Sequence, residues 1–264
     1  MKKGEQNICF FCVFMSIFVV YVIYFFIEHN ESYTQSMHQR NIKKDGFSVF
    51  HCYDHINIQK DPSEELIKQT LDKLPKGYKF ANYSYRIKMA SPSYFHRDVT
   101  SSQYIYKTKH PVYTLIIYKY DGCLISLCPG SNYTYPFVYS QIVNLSGPAG
   151  TCVLFDCEIL HAGCINECKP RNIIQYKIAH EDDMDVLKHL DDVNVEETKG
   201  ECEDNLYNHA LRKCSYFFEL PINTIFYPLM LKQQEDGIIK NLQKHSSLRF
   251  YTDEHLTSHT KYAC

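Results

Sequence analysis

Three His-x-Asp pairs stand out in this sequence, because each could offer one imidazole and one carboxylate to a metal ion. They are His96 with Asp98, His180 with Asp182, and His189 with Asp191. Residues i and i+2 of a β-strand point to the same side, so both side chains of a pair can contact one ion. A chain with 13 His is expected to contain about one such pair by chance, so a pair alone is weak evidence for a metal site.

Two further residues set the first pair apart from the others. His161 follows a later predicted strand, and Arg171 lies ten residues beyond it, at the next predicted strand. Two imidazoles and one carboxylate on one face of the ion are the ligands of non-haem Fe(II) oxygenases. The planar guanidinium of an arginine suits a carboxylate, because it can pair with both oxygens. The combination therefore predicts a metal site made by His96, Asp98 and His161.

Short apolar runs separated by turn residues surround these side chains and predict strands. The separators are rich in Pro, Gly, Ser and Asp, and the runs are Tyr83–Met89, Val112–Tyr120, Leu124–Cys128, Gln141–Leu145, Thr151–Phe155 and Asn172–Ile178. Many short strands at this spacing are typical of an all-β sandwich or jelly roll. No helix-length segment lies between them, which disfavours a parallel α/β fold. A flanking helix is predicted to begin at Asp61 and Pro62, as N-cap and first helical residue.

Four sequence blocks in this region carry a resemblance to a known family. They are Tyr94-Phe95-His96-Arg97-Asp98, Asp121-Gly122-Cys123-Leu124 continuing to Pro129-Gly130-Ser131-Asn132, Gly150-Thr151-Cys152-Val153-Leu154-Phe155-Asp156, and His161-Ala162-Gly163 with Asn166 and Arg171. In this order and spacing, the segment from about Tyr85 to Ala179 resembles the phytanoyl-CoA dioxygenase-like family of Fe(II)/2-oxoglutarate-dependent oxygenases. The resemblance covers little over a third of the chain.

The resemblance implies a mainly β fold, a double-stranded β-helix of the jelly-roll or cupin-like type with flanking helices. It implies that His96, Asp98 and His161 ligate Fe(II), and that Arg171 binds the distal carboxylate of 2-oxoglutarate. With O2, such a site would hydroxylate a substrate and release succinate and CO2. Related iron halogenases carry a small residue at the carboxylate position, so Asp98 favours hydroxylation.

The sequence departs from the family pattern at three positions. Asn132 replaces the usual His of its loop, Thr151 replaces the usual Asp before the distal strand, and Gly163 stands where a hydroxyl side chain is often found. The second contact to 2-oxoglutarate is therefore open, and Tyr113 and Thr114 are the candidates for it.

The N-terminal segment carries an independent physical signal. Residues 8–27 contain no charged side chain, and 20 residues of helix at about 1.5 Å per residue span a bilayer core of roughly 30 Å. Lys2 and Lys3 precede the segment and Glu28 follows it, which leaves the N-terminus cytoplasmic. A cleaved signal peptide is the competing interpretation, although its apolar part would be shorter and end in small residues.

The sequence predicts five segments along the chain. We expect residues 1–7 to be a cytoplasmic tail, 8–27 a signal-anchor, 28–45 a stalk, 46–180 the catalytic jelly roll, and 181–264 an acidic linker with a C-terminal extension of unknown role. The catalytic domain would then be lumenal or extracellular. The formal net charge of −2 gives no electrostatic reason to expect nucleic-acid binding.

Two features fit a secretory route weakly. Asn-x-Ser/Thr sequons begin at Asn30, Asn82, Asn132 and Asn144, which makes the chain a candidate glycoprotein. An even number of Cys lies beyond the anchor, compatible with disulfides or with buried free thiols. The cysteines around His161 are Cys152, Cys157, Cys164 and Cys168, but their spacing lacks the Cys-x2-Cys pair typical of structural zinc sites.

Three functional hypotheses follow from the sequence. The first is a dioxygenase that hydroxylates a small molecule, a lipid or a glycan-type substrate. The second is a prolyl or lysyl hydroxylase of the secretory pathway. The third is a membrane-anchored, non-catalytic jelly-roll glycoprotein, which the four intact site residues disfavour. The His-Arg-Asp triplet also occurs in protein kinases, but no glycine-rich loop or Asp-Phe-Gly accompanies it here.

Overall fold

Two β-sheets carry the fold in the computed structural model, which describes residues 10–20, 27–54, 57–58, 61–88, 95–133, 141–164, 171–198 and 206–221. The strands are β1 Glu28–Ser32, β2 Phe47–His51, β3 Tyr78–Lys88, β4 Tyr113–Tyr118, β5 Gly122–Leu127, β6 Ile142–Gly147, β7 Thr151–Asp156, β8 His161–Gly163, β9 Asn172–His180 and β10 Val193–Thr198. The helices are α1 (residues 10–20), α2 Tyr33–Gln39, α3 Ile42–Asp45, α4 Glu64–Leu71, α5 Gln103–Tyr106 and α6 Leu206–Pro221, with 3₁₀ segments Val99–Ser101 and Glu181–Leu190.

The strands form one four-stranded and one six-stranded sheet. Their orders are β1-β6-β5-β8 and β10-β3-β9-β4-β7-β2. All pairs are antiparallel except β1 with β6 and β10 with β3, which are parallel. This mainly β architecture is consistent with the jelly roll expected from the sequence. All six predicted strands are confirmed, as β3, β4, β5, β6, β7 and β9.

The core lies between the two sheets. One buried cluster combines side chains of both, namely Phe47, Val49, Ile116, Tyr118, Val153, Phe155 and Ile173 with Leu124, Ile125, Leu127 and Leu145. Side chains alternate along a strand, so the neighbours of these residues point to the opposite face. There Leu115 and Ile117 of β4 pack with Leu66 of α4 in a second cluster. The six-stranded sheet is thus covered on both faces.

The flanking helix begins later than the sequence predicted. Ser63 is the N-cap of α4, and its hydroxyl accepts a hydrogen bond from Leu66 N at 3.3 Å. Asp61 and Pro62 precede the cap and are not part of the helix. Ser63 takes the role because its side chain meets the free N–H groups of the first turn.

The predicted stalk is part of the folded domain. Residues 28–45 form β1, α2 and α3, and β1 pairs with β6 along its whole length. Arg40 joins these elements, because its guanidinium contacts the carboxylates of Glu31 at 2.5 Å and Asp45 at 3.1 Å. A stalk would expose these groups, whereas Glu31 and Asp45 are buried.

The acidic stretch after residue 180 is also built into the fold. Glu181–Leu190 is a 3₁₀ helix, and β10 then pairs in parallel with β3. Val193 and Val195 are buried, which explains why an acidic segment stays on the sheet. The predicted boundaries of 46–180 for the domain are therefore too narrow at both ends.

Helix α6 covers the outer face of the four-stranded sheet. Its Tyr216 packs on Phe95, with ring centroids 5.4 Å apart, and lies in a cluster with Ala162. Its Arg212 donates hydrogen bonds to Gly163 O and Ser126 Oγ, both at 2.6 Å. Residues 222–264 of the predicted extension lie outside the described residues.

The predicted membrane anchor is described only in part. Residues 10–20 form α1, and residues 8–9 and 21–26 lie outside the described residues. Within the part of the chain that is described, no helix combines the length and the apolar character needed to cross a bilayer.

Candidate metal centre

His96 and His161 meet as a cross-strand pair. The two residues exchange backbone hydrogen bonds, with His96 N donating to His161 O at 2.9 Å and His161 N donating to His96 O at 3.0 Å. Residues opposite each other in an antiparallel pair carry their side chains on the same face. The ring centroids are 4.4 Å apart, and Phe155 packs against the His161 ring at 4.6 Å. Backbone pairing thus places two imidazoles side by side.

The protonation of His161 follows from its hydrogen bond. His161 Nδ1 lies 3.0 Å from Ile159 O, and a carbonyl oxygen can only accept, so Nδ1 carries the proton. Burial, and then the neighbouring His96, lower the pKa of His161 to about 3. The ring is neutral near pH 7, and its Nε2 presents a lone pair.

Asp98 turns one oxygen to the two imidazoles. Its Oδ1 lies 3.5 Å from His161 Nε2 and 3.9 Å from His96 Nε2. The backbone holds it there, because Asp98 N donates to Cys157 O at 2.9 Å. The other oxygen, Oδ2, accepts hydrogen bonds from Thr114 Oγ1 at 2.5 Å and from Lys177 Nζ at 2.8 Å.

Lys177 is a buried cation behind the site that sequence reasoning missed. Its side chain is 1% exposed, and its Nζ also donates to Ser101 Oγ at 2.9 Å and Thr114 Oγ1 at 2.8 Å. Burial alone would raise the pKa of Asp98, but Lys177 and the two histidines outweigh it and lower that pKa below its usual value. The available signal was a lysine in the middle of an apolar strand, on the same face as inward-pointing Ile173.

The three side chains fit a divalent metal ion. Their ligand atoms all lie within 4.8 Å of one another. Two atoms bound to one ion at about 2 Å are at most about 4 Å apart, and both His-to-Asp98 distances meet that limit. His161 Nε2 and the ionised Asp98 Oδ1 are both acceptors facing each other, so a cation between them would relieve the repulsion. The structure thus brings together the three predicted ligands.

Arg171 lies on the same side of β8 as the His161 ring. A Cβ atom placed on Gly163 would be 2.7 Å from Arg171 Cζ, so the guanidinium rests directly on this glycine. His161 and Gly163 are i and i+2 of one strand and share a face, with their Cα atoms roughly 7 Å apart. Gly163 therefore has a steric role, which explains why the expected hydroxyl side chain is missing.

Arg171 is buried and incompletely paired. Its guanidinium lies near Tyr118 and Tyr120, and its positive charge opposes the effect of burial, which raises the pKa of both phenols. Among the described residues, Arg171 Nε has no hydrogen-bond partner. A buried guanidinium with an unused N–H fits an anionic ligand, since an unsatisfied buried donor is costly.

The two candidates for a second cosubstrate contact do not fit that role. Thr114 points inward, but its hydroxyl is already bonded to Asp98 and Lys177, so it positions the metal ligand. Tyr113 belongs to the outer face of β4, where it packs against Tyr78 with ring centroids 5.3 Å apart. Consecutive strand residues point to opposite faces, so Tyr113 and Thr114 cannot both contact the same cosubstrate.

Arg97, between the two ligands of the His-x-Asp pair, anchors the loops around the site. It is 2% exposed, and its Nη1 donates to Ser131 O at 3.0 Å and to Glu158 O. Ser131 Oγ in turn accepts from Leu160 N at 2.8 Å. These bonds tie the 129–132 loop to the turn before His161.

The cysteines near His161 do not form a zinc cluster in the described residues. Cys164 is paired with Cys123 in a disulfide, and Cys168 lies outside the described residues. Cys152 and Cys157 are buried free thiols. Burial raises the pKa of Cys157 to about 12, so it remains a thiol beside Ser101.

No protein-family model matches this sequence, and no curated protein is significantly similar to it. The resemblance to the phytanoyl-CoA dioxygenase-like family therefore stays a prediction.

Several solved structures resemble this chain at low similarity. EvdMO1 matches with a TM-score of 0.41 and 13% identity over 53% of this chain and 49% of that one, about half of its length. EctD from S. alaskensis, with 2-oxoglutarate and 5-hydroxyectoine, matches at 0.39 and 14% over 53% and 73% of the two chains. HygX from Streptomyces hygroscopicus, with nickel, 2-oxoglutarate and hygromycin B, matches at 0.38 and 12% over 53% and 84%. Likeness at this level does not carry function, which depends on the site itself.

Proposed function

We propose that this protein is an Fe(II)- and 2-oxoglutarate-dependent dioxygenase that hydroxylates its substrate. The observation that carries the proposal is the convergence of His96 Nε2, His161 Nε2 and Asp98 Oδ1, with the His161 ring buried and neutral. Two imidazoles and one carboxylate in this arrangement leave further coordination positions open, as oxygenase chemistry requires.

The ligands would be held in place by the residues behind them. Ile159 O fixes the His161 tautomer, and Lys177 with Thr114 occupies Asp98 Oδ2, which leaves Oδ1 as the oxygen for the metal. Such partners orient metal ligands and tune their basicity. The ion would supply, with 2-oxoglutarate and O2, the oxidation that yields succinate, CO2 and hydroxylated substrate.

Arg171 would bind the distal carboxylate of 2-oxoglutarate. Three features support this role: its burial, its unpaired Nε among the described residues, and its position over Gly163, about two strand residues from His161. The bulk of Tyr118 beside it would exclude water from the charged pair. A carboxylate in such a place gains strong, charge-assisted hydrogen bonds.

For the substrate we favour a small molecule, a lipid or a glycan-type compound. The alternative within enzymes is a prolyl or lysyl hydroxylase. A non-catalytic jelly-roll glycoprotein is less favoured, because a scaffold has no need of a buried lysine that keeps Asp98 ionised beside two adjacent imidazoles.

The test is cosubstrate turnover by the full-length chain in detergent. Purified protein is loaded with Fe(II) under argon, and 2-oxoglutarate addition should produce the visible charge-transfer band of a chelated cosubstrate, followed by succinate release in air. His161→Ala should abolish both signals, and His29→Ala, at an exposed histidine on β1, should retain them. Folded wild-type protein that binds no iron, or binds iron without any 2-oxoglutarate band, would exclude the proposal.

We further propose a single-pass, signal-anchored membrane protein with a lumenal or extracellular domain. Residues 10–20 form a helix with exposed apolar side chains, among them Phe10 at 80% and Val20 at 66%, which lipid would stabilise. Of the four sequons, Asn30 and Asn82 are exposed, whereas Asn132 is buried and bonded to Asp156. Asn144 is held by Glu28.

The location is tested by expressing the chain in secretory cells. Glycosidase treatment should shift the mobility of wild type, and Asn30→Gln with Asn82→Gln together should remove the shift. Protein that is unglycosylated and fully extracted by carbonate would contradict the proposed location.

A further inference from the structure

A second group of potential ligands lies at the far end of β9, outside the candidate iron site. Ligand atoms of His110, His180 and Asp182 are within 4.8 Å of one another. His180 ends β9 and Asp182 follows in the 3₁₀ helix, while His110 precedes β4. Because β4 and β9 are antiparallel neighbours, His110 comes to lie against His180, with the rings stacked at 3.8 Å.

Asp183 prepares the His110 ring for a metal. The Asp183 side chain is 3% exposed, and its carboxylate lies 2.9 Å from His110 Nδ1. The carboxylate also accepts hydrogen bonds from Lys109 N at 2.7 Å and from His110 N at 2.9 Å. An ionised carboxylate can only accept, so Nδ1 of His110 carries a proton and its Nε2 is left with a lone pair in the neutral ring. A carboxylate that holds the remote nitrogen of a histidine in this way is the usual support of a metal-bound imidazole.

His180 offers its other nitrogen. His180 Nδ1 accepts a long hydrogen bond from Asp182 N at 3.3 Å, and Asp182 Oδ2 lies 3.7 Å from the same atom. The lone pair is thus on Nδ1, beside a carboxylate oxygen. His180 Nε2 packs against the Cα of Gly77, where even a Cβ would not fit. The bond to Asp182 N is weak at this length, so a metal could replace it at little cost.

We propose that His110 Nε2, His180 Nδ1 and Asp182 Oδ2 form a second metal site, suited to a borderline divalent ion such as Zn²⁺. Two imidazoles and a carboxylate, with water in the remaining position, form a four-coordinate zinc environment. The site is open to solvent, since the His110 and Asp182 side chains are 36% and 54% exposed.

The position of the site gives it a structural role. His180 lies three residues beyond Lys177, about 10 Å along β9, and packs on the outer face with Tyr78. The segment before His110 includes Ser101, which contacts Lys177. A metal at the second site would connect this segment to the end of β9 and so stabilise the position of Lys177 behind Asp98.

Zinc binding in a background without the first site tests the proposal. Full-length His161→Ala protein is titrated with Zn²⁺ at neutral pH, and bound metal is counted by elemental analysis after dialysis. One equivalent should bind and raise the melting temperature. Adding His110→Ala should remove that equivalent, whereas adding His29→Ala should not. The result does not depend on the proposed oxygenase activity, because the first site is disabled throughout.

Two further substitutions test the same site by milder changes than removal of a histidine. Asp182→Asn, at a side chain 54% exposed, should weaken Zn²⁺ binding, and Asp183→Asn, which removes the charge that supports the His110 ring, should weaken it by roughly 10- to 100-fold. If His161→Ala protein binds no zinc, or if the same equivalent survives Asp182→Asn and His110→Ala, the second site is overturned.

Discussion

The ammonium group of Lys177 lies 2.8 Å from Asp98 Oδ2, and both groups are nearly sealed from solvent, with side chains 1% and 11% exposed. A lysine in the middle of a sheet is costly unless an anion meets it, because burying a lone charge is strongly unfavourable. The pair therefore couples the stability of β9 to the charge of a metal ligand. It also directs Asp98 Oδ1, not Oδ2, to the imidazoles.

Lys177→Met should destabilise the protein and disturb the site together. The change removes one partner of a buried pair, so the free energy of unfolding should fall by roughly 3–5 kcal/mol in urea titrations. Iron affinity should fall as well. Without Lys177, Asp98 Oδ2 would no longer be held away from the metal, or the carboxylate would take up a proton. Lys188→Met is the matched control. Its partner Asp185 is 89% exposed, so this change should cost at most about 1 kcal/mol. Equal losses in the two variants would contradict the role of Lys177.

Arg171→Lys should raise the KM for 2-oxoglutarate more than it lowers kcat. A lysine keeps the charge but loses the two-pronged hydrogen bond, which corresponds to a loss of about 1.5–3 kcal/mol, or roughly 10- to 100-fold in affinity. Steady-state succinate assays at varied cosubstrate concentration measure this split. Arg86→Lys, at a half-exposed pair with Glu196, is the control and should leave KM unchanged. An unchanged KM in Arg171→Lys would remove Arg171 from the cosubstrate site.

Gly163→Ala should act on the cosubstrate through Arg171. The new methyl group would overlap the guanidinium, which must then move away from the interior. We expect a raised KM for 2-oxoglutarate with little change in Fe(II) binding. The double variant with Arg171→Lys should be less than additive, because residues in contact share their effect. Strict additivity of the two changes in KM would show that the contact is irrelevant to binding.

The stability of the metal-free protein should depend on pH through His161. Burial lowers its pKa to about 3 in the folded state, against 6.5 as the ordinary value. Between these values the unfolded chain binds a proton that the folded chain excludes, so stability falls as the pH falls. This one group should contribute a slope of up to about 1.4 kcal/mol per pH unit. His161→Gln should flatten the curve between pH 6 and 4 relative to His29→Gln. Parallel curves would show that His161 takes up a proton while folded.

Reduction of the Cys123–Cys164 disulfide should destabilise the four-stranded sheet. The bond closes a loop across 41 positions of sequence, and removing it should cost about 2–4 kcal/mol through the greater freedom of the unfolded chain. Urea titrations with and without reductant measure the effect. Protein with both Cys123→Ser and Cys164→Ser is the control, and it should be insensitive to reductant. A wild-type protein that is equally stable in both states would argue that the bond does not form.

Local patterns determined several parts of this protein. Short apolar runs separated by turn residues predicted the six strands, because buried strands are apolar and the turns between them are rich in Pro, Gly, Ser and Asp. The order and chemistry of His96, Asp98, His161 and Arg171 predicted a metal site with a cation nearby, and the structure brings the three ligand side chains together. These inferences needed only residue types and spacing.

Local patterns did not predict the structure of the segments that the sequence assigned to a stalk and a linker. β1 and β10 are polar edge strands whose pairing partners, β6 and β3, are more than 100 residues away. No local period reveals a parallel pairing over that distance. Only the packing of both sheets decides that they belong to the domain.

The surroundings of the site were likewise decided by the tertiary structure. Lys177 and Thr114 meet Asp98 because β4 and β9 are neighbours and face the segment after His96. Gly163 looked like the loss of a polar contact, whereas it makes room for a guanidinium. Residue types specify which ligands the chain can offer to a metal. Contacts between strands distant in sequence decide which oxygen of Asp98 is free and where the Arg171 side chain lies. Those contacts exist only in the folded chain.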